Sequence, residues 1–161
     1  MKRWLGLALL LPLVGLVLSI AAREAGLSGA SEWRIPIAGF DPRDPIRGRF
    51  IQFRYDWRVA GDPALCTAAA CALCLSGDSG EIVATMVAPG TVCPAYVDVN
   101  GSNIRGLNVA PGQVPDFSSR IFVSETSAPK LEDMLRREPM VVIAKLTKQG
   151  RLVNDRLEPA N

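Results

Sequence analysis

The first feature of the chain is an uncharged apolar segment close to its N-terminus. Trp4 to Ala22 is 19 residues long, follows Lys2 and Arg3, and ends before a charged pair. As a helix it would rise roughly 28 Å, close to the ~30 Å hydrocarbon core of a bilayer. A helix that is apolar on every side suits lipid better than the surface of a soluble domain. We therefore interpret residues 1–22 as a membrane anchor; the alternative is a signal peptide cleaved near Ser19-Ile20-Ala21.

The charges around this segment predict its orientation. Lys2 and Arg3 favour a cytoplasmic N-terminus under the positive-inside rule, so the rest of the chain lies beyond the membrane in either interpretation. Residues 23–31 are rich in small residues and read as a spacer. Residues 32–161 then form one extracytoplasmic domain.

Composition excludes several classes of function. Beyond residue 22 the chain has 16 basic and 16 acidic residues, which argues against a nucleic-acid binder held by overall charge. It has no histidine, so Ser-His-Asp triads, Cys-His pairs and imidazole metal sites are ruled out. The sequence indicates no cofactor.

Alternating apolar residues predict a mainly β fold. The clearest case is the segment from Phe50 to Arg58, in which Ile51, Phe53, Tyr55 and Trp57 share one face, predicted to be buried. We expect one soluble helix from Ser127 to about Glu138, and about seven to nine short strands arranged as a sandwich or open barrel. The other predicted strands cover residues 33–37, 70–75, 81–87, 92–99, 104–109, 120–124, 140–147 and 151–157.

Two details of this prediction concern strand pairing. Pro36 lacks an N–H and favours an edge position for the first strand. Residues 70–75 and 81–87 form a hairpin whose loop is the four or five residues from Ser76 to Gly80.

The four cysteines, Cys66, Cys71, Cys74 and Cys93, are predicted to form disulfides, as is typical outside the cytoplasm. Three pairings are possible. If Ser76 faces Glu81 in the hairpin, Cys66 comes close to Cys93, and this weakly favours that bridge. Cys71 and Cys74 lie on opposite faces of a regular strand, too far apart to bridge.

Metal and redox roles for the cysteines remain as alternatives. The C-x4-C-x2-C…C spacing matches that of plant-type [2Fe–2S] ferredoxins. Export, a first loop without glycine, and a short gap to Cys93 argue against a cluster. Zinc binding or a redox-active CxxC is a further alternative, although no helix is predicted after Cys74.

The segment from Glu32 to Trp57 resembles the start of the GDYXXLXY-domain family of membrane-anchored bacterial proteins. In the name motif, Gly48 and Tyr55 match, Phe50 and Phe53 keep the apolar character, and Arg49 reverses a charge. The upstream D-P-R-D…R-G pattern and a downstream strand–helix–hairpin ending also fit. The resemblance implies an extracytoplasmic β domain at the bacterial inner membrane, facing the periplasm, with a polytopic membrane protein as its partner.

The motif also contains alternating charges, Asp41, Arg43, Asp44 and Arg47. One interpretation is a local turn, in which the aspartates cap their own backbone. The other is a recognition loop, in which Arg43 and Arg47 offer fork-shaped donors to a carboxylate or phosphate.

These observations favour a non-catalytic anchored module that binds a membrane partner or envelope component. Two alternatives are a hydrolase of the signal-peptidase type and [2Fe–2S] electron transfer. The hydrolase would pair Ser28 or Ser31 with a lysine and would need no histidine; the lysines after the anchor are Lys130, Lys145 and Lys148. An acid–base enzyme using Asp41 and Asp44 is disfavoured, because those residues lie in a turn-rich loop.

Overall fold

The computed structural model describes residues 2–41, 50–67, 70–78, 81–106 and 115–160. Within these ranges the chain forms ten β-strands in two sheets, two α-helices and one short 3-10 turn, Pro63–Leu65. The fold is mainly β, as the alternating pattern predicts. The ten described strands exceed the expected seven to nine because the predicted strand from Phe50 to Arg58 forms parts of two strands.

The N-terminal helix α1 runs from Lys2 to Ser28 and contains Pro12. The segment Leu10–Ser28 is long and apolar enough to cross a membrane, and none of it is buried against the domain. The helix continues into residues 23–31, the predicted spacer: it ends at Ser28, and the first strand begins at Ser31. Extending a formed helix gains one hydrogen bond for each added residue, which outweighs the weak helix preference of Gly26.

The larger sheet has six antiparallel strands in the order β10-β9-β1-β2-β8-β7. Their bounds are β1 Ser31–Asp41, β2 Phe50–Tyr55, β7 Ile104–Gly106, β8 Phe117–Phe122, β9 Met140–Leu146 and β10 Leu152–Pro159. The N-terminal strand β1 therefore lies between β2 and the C-terminal hairpin.

The smaller sheet has the order β3-β5-β4-β6, with β3 and β5 parallel. Its strands are β3 Arg58–Ala60, β4 Ala72–Asp78, β5 Glu81–Val87 and β6 Tyr96–Asp98. Asp78 pairs directly with Glu81, so the β4–β5 loop has two residues rather than the expected four or five. Of the predicted strand 92–99, only Tyr96–Asp98 is regular, and residues 107–109 of another lie outside the described ranges.

The predicted strand from Phe50 to Arg58 is divided between the two sheets. β2 ends at Tyr55, and the chain enters the second sheet at Arg58. The alternation continues across the break, because Ile51, Phe53, Tyr55 and Trp57 are all buried. The prediction of an inward aromatic face is therefore confirmed, and this face joins the two sheets in one core.

The expectation that Pro36 marks an edge strand is wrong. β1 is internal, and Pro36 pairs with Val141 on one side. On the other side its carbonyl accepts a hydrogen bond from Asp56 N–H (2.8 Å), and the β1–β2 ladder ends there. In an antiparallel strand the N–H and the carbonyl of one residue point to the same side, so the N–H that Pro36 lacks would also point toward the β2 side. Pro36 is thus tolerated because it stands where β2 leaves the sheet.

The larger sheet curls, so that the edge strand β10 approaches β8 on the other side of the sheet. Asn154 on β10 donates from Nδ2 to Ser119 Oγ (2.8 Å) and to the Arg120 carbonyl (3.3 Å) on β8. Tyr55 O–H donates to Asn154 Oδ1 (2.9 Å) from inside. This polar cluster partly closes the sheet into an open barrel. The second helix, α2 (Ala128–Arg137), forms as predicted and packs Leu131 and Leu135 against the core.

Candidate functional site

All four cysteines are disulfide-bonded, in the pairs Cys66–Cys71 and Cys74–Cys93. The weakly favoured Cys66–Cys93 bridge is wrong, because local geometry brings each of these cysteines to a different partner. After the 3-10 turn the chain reverses, with Thr67 N–H donating to the Ala70 carbonyl, and brings the Cα atoms of Cys66 and Cys71 to 4.2 Å.

Cys74 meets its partner on the outer face of the smaller sheet. Leu73 and Leu75 point into the core, so Cys74 points outward, and the segment after β5 brings Cys93 to a Cα separation of 6.2 Å. Paired sulfur atoms have no thiolate to offer a cluster or zinc ion. In this state the cysteines hold the β3–β4 and β5–β6 connections in place.

The serines considered for a Ser–Lys pair are bonded to other groups. Ser28 O–H donates to the Ala25 carbonyl (2.9 Å), and Ser31 Oγ accepts from Trp33 Nε1 (3.2 Å). Lys145 Nζ forms an ion pair with Asp155 (3.2 Å). No hydrogen bond joins either serine to a lysine within the described residues.

The motif residues fall into two groups. Arg43, Asp44, Arg47 and Gly48 lie outside the described residues, and Asp41 is the last residue of β1. The recognition-loop hypothesis therefore stays a prediction. Among the aromatic motif residues, Phe53 and Tyr55 are buried, whereas Phe50 points outward from the opposite face of β2.

The outward side of β2, β8 and β7 carries a group of arginine, polar and aromatic side chains, which we call the arginine face. The ladder sets its register: Phe50 is opposite Phe122, Gln52 is opposite Arg120, and β7 adds the third strand. Its members are Phe50, Gln52, Arg54, Arg105, Ser118, Arg120 and Phe122.

Arg120 lies between the two phenylalanines of this face. Its guanidinium carbon is 5.8 Å from the ring centroids of both Phe50 and Phe122, within range of cation–π attraction. The rings contact each other edge to face, with centroids 6.3 Å apart. Although the rings hold the side chain, Arg120 Nε is buried and has no hydrogen-bond partner among the residues that the structure describes. Leaving a buried donor without a partner costs about 1–3 kcal/mol, so an acceptor that bound Arg120 Nε would recover part of this cost.

A shallow polar cleft that is open to solvent adjoins Arg120. Gln52, Asn103, Arg105, Ser118, Ser119 and Arg120 line it. Arg54 forms an ion pair with Asp116 (2.9 Å), but neither Arg105 nor Arg120 has an ion-pair partner among the described residues. Two unpaired guanidinium groups on one cleft favour a planar anion such as a carboxylate, which can accept bidentate hydrogen bonds.

Phe122 extends the arginine face with apolar surface. Its side chain is 64% exposed on a regular strand, one of the few large apolar residues of the described β domain that remain so accessible. Aromatic and arginine side chains are the types most enriched at protein–protein interfaces. The arginine face therefore has the residue composition of a surface that could bind an acidic partner.

The outer side of β1, β9 and β10 has the opposite character, because its charges neutralise one another. Arg156 bonds Glu158 (2.7 Å) and Asp155 (2.8 Å), and Arg34 also bonds Glu158 (2.8 Å). Hydrogen bonds from Arg156 and Arg34 lower the pKa of Glu158. Burial opposes the ionisation of Asp155, but hydrogen bonds and charge from Lys145 and Arg156 outweigh it and lower the pKa of that carboxyl. Within the described residues, the basic and acidic groups of this side therefore balance one another.

Sequence reasoning did not identify Arg105, Arg120 or Phe122. Alternation within β8 places Arg120 and Phe122 on one face, and the sequence pattern alone could have predicted this. Their meeting with Phe50 and Gln52 depends on pairing between strands more than 60 residues apart. The sequence of either strand alone does not determine that register.

The fold and this surface define a β-rich domain that follows a helix able to span a membrane. A family model described as GDYXXLXY protein matches residues 12–157, and the chain belongs to this family. Comparison with curated proteins and with solved structures finds no match.

Proposed function

We propose that the chain is a membrane-anchored, non-catalytic binding module of the bacterial inner membrane, with its β domain in the periplasm. In this proposal α1 remains uncleaved, and the domain binds a polytopic membrane protein or another envelope component. The observation that supports the binding role is the position of Arg120. In the described part of the chain its Nε has no partner, and it shares a cleft with Arg105, which forms no ion pair there, next to the exposed ring of Phe122.

Two features support the proposed location. α1 is long and apolar enough to span a bilayer, although a signal sequence satisfies the same criteria. The two disulfides are typical of an oxidising compartment such as the periplasm. A C-terminal alkaline phosphatase fusion tests the location: activity that sediments with membranes is expected, and an inactive fusion would contradict the proposal.

Capture of the tagged full-length protein from detergent-solubilised membranes tests the binding role. We expect a protein with several transmembrane spans, or a defined envelope component, to copurify with the unaltered chain. Arg120→Ala and Phe122→Ala should reduce its recovery by roughly tenfold or more, because truncating an interface hot spot costs at least about 2 kcal/mol.

A matched control separates the arginine face from general loss of charge. Arg58 lies on the other sheet and pairs with Glu81 on the surface (2.8 Å), so Arg58→Ala should retain the partner. Arg120→Lys keeps the charge but loses the fork and should weaken recovery. Equal recovery with Arg120→Ala and Arg58→Ala would refute the role of this face.

A further inference from the structure

Chain geometry sets an upper limit on the distance between the membrane and the β domain. α1 has 27 residues, roughly 40 Å of helix, which matches a bilayer including its headgroup regions. The uncharged segment ends at Ala22, so the last six helical residues rise only ~9 Å beyond it. Gly29 and Ala30 then join the helix to β1. The domain therefore begins at the outer limit of the headgroup layer.

The β9–β10 turn, residues 147–151, is the part of the domain brought to this level. Ser31, the first residue of β1, pairs with Leu146 immediately before the turn. A Cβ atom placed on Gly29 would lie 3.9 Å from Lys148 Cε, so the turn is next to the end of α1. Strand pairing alone requires this proximity.

The turn is held rigidly in its place. Thr147 and Arg151 exchange hydrogen bonds across it, and the Gly150 carbonyl accepts from Asp98 N–H (2.8 Å). Gly150 has φ +82° and packs so closely on Tyr96 that a Cβ atom would come within 2.7 Å of the ring. Such a turn presents its outward side chains without further loss of backbone entropy.

Those outward side chains are cations without acidic partners. Lys148 and Arg151 are exposed, and neither forms an ion pair among the described residues. Arg151 Nε donates to the Gly101 carbonyl (3.2 Å), which leaves the terminal guanidinium nitrogens available. Two acidic residues belong to this region, and in the described structure neither forms an ion pair with Lys148 or Arg151. Asp98 accepts a hydrogen bond from Asn100 N–H, and Glu24 follows Arg23 on α1.

We propose that the β9–β10 turn rests on the bilayer that α1 crosses, with Lys148 and Arg151 bound to the phosphate groups of anionic phospholipids. Close to such a surface each Lys or Arg gains about 1 kcal/mol. The contact holds the domain in one orientation relative to the membrane. It rests on the membrane anchoring proposed above.

Headgroup quenching in nanodiscs tests this contact with the full-length protein. A fluorophore on Gln149→Cys reports from the turn, and a spin label on lipid headgroups quenches it. Quenching should be stronger in nanodiscs containing phosphatidylglycerol than in phosphatidylcholine alone. In the former, Lys148→Gln or Arg151→Gln should each lower the ratio of bound to free turn about fivefold.

Lys130→Gln and Arg136→Gln are the matched controls, because both residues are exposed on α2 and make no ion pair in the described structure. They should leave the quenching unchanged. A chain that does not insert into nanodiscs overturns the anchoring and this contact with it. An inserted chain whose quenching ignores phosphatidylglycerol and both turn substitutions overturns the headgroup contact alone.

Discussion

Asn154 is the residue whose removal should most weaken the closure of the curled sheet. Its side-chain amide makes three hydrogen bonds, with Tyr55 O–H, Ser119 Oγ and the Arg120 carbonyl. Each contributes about 1 kcal/mol net, and the hydroxyl of Tyr55 would lose a partner inside the protein. We therefore expect Asn154→Ala to lower the free energy of unfolding by about 3–4 kcal/mol, and Tm by roughly 10 °C.

Denaturant unfolding of the full chain in detergent micelles measures this change. Tryptophan fluorescence is a suitable probe because the Trp57 ring stacks on Tyr55, with centroids 4.4 Å apart. Tyr55→Phe alone should cost about 1–2 kcal/mol, and the double variant should cost less than the sum by about 1 kcal/mol, because both changes remove the same bond.

Gln149→Ala provides a matched control, since it removes an exposed amide from a turn. It should change stability by less than about 0.5 kcal/mol. A loss below about 1 kcal/mol for Asn154→Ala, or strict additivity with Tyr55→Phe, would refute a closure that depends on this cluster.

Two further predictions concern the core and the disulfides. Burial raises the pKa of Tyr55 to about 12, against a lowering by hydrogen bonds with Ser119 and Asn154. Its phenol thus stabilises the fold below pH ~10, and this contribution, about 3 kcal/mol, is lost as pH rises from about 10 to about 12; unfolding between pH 8 and 11 should show a decline that Tyr55→Phe reduces. Replacing Cys74 and Cys93 together by serine should cost about 3 kcal/mol and replacing Cys66 and Cys71 about 2 kcal/mol, because the first pair closes the longer loop; the opposite order in denaturant unfolding would contradict this account.

Sequence periodicity was sufficient to predict the elements whose structure depends on residues close by in the chain. The alternation from Ile51 to Trp57 predicts the buried aromatic face even though the strand changes sheet midway. The apolar spacing of α2 and the C-terminal hairpin are likewise predicted, because each is determined by neighbours within a few residues.

Features that depend on distant neighbours were not predictable in the same way. Pro36 suggests an edge because the sequence does not show where β2 leaves the sheet. The disulfide pairing depends on a two-residue hairpin loop and on a chain reversal before β4, neither of which has a distinctive pattern. The arginine face forms only when β8 aligns with β2.

The position of β1 has a consequence for the order in which the chain can fold. β1 is the first strand to emerge during synthesis, yet one of its two neighbours is β9, more than 100 residues later. Pairings of such long separation form slowly because loop closure precedes any gain in contacts. Until Met140–Leu146 has left the ribosome, β1 presents an open hydrogen-bonding edge beside the apolar helix. A chaperone that shields this edge would be most useful during that interval.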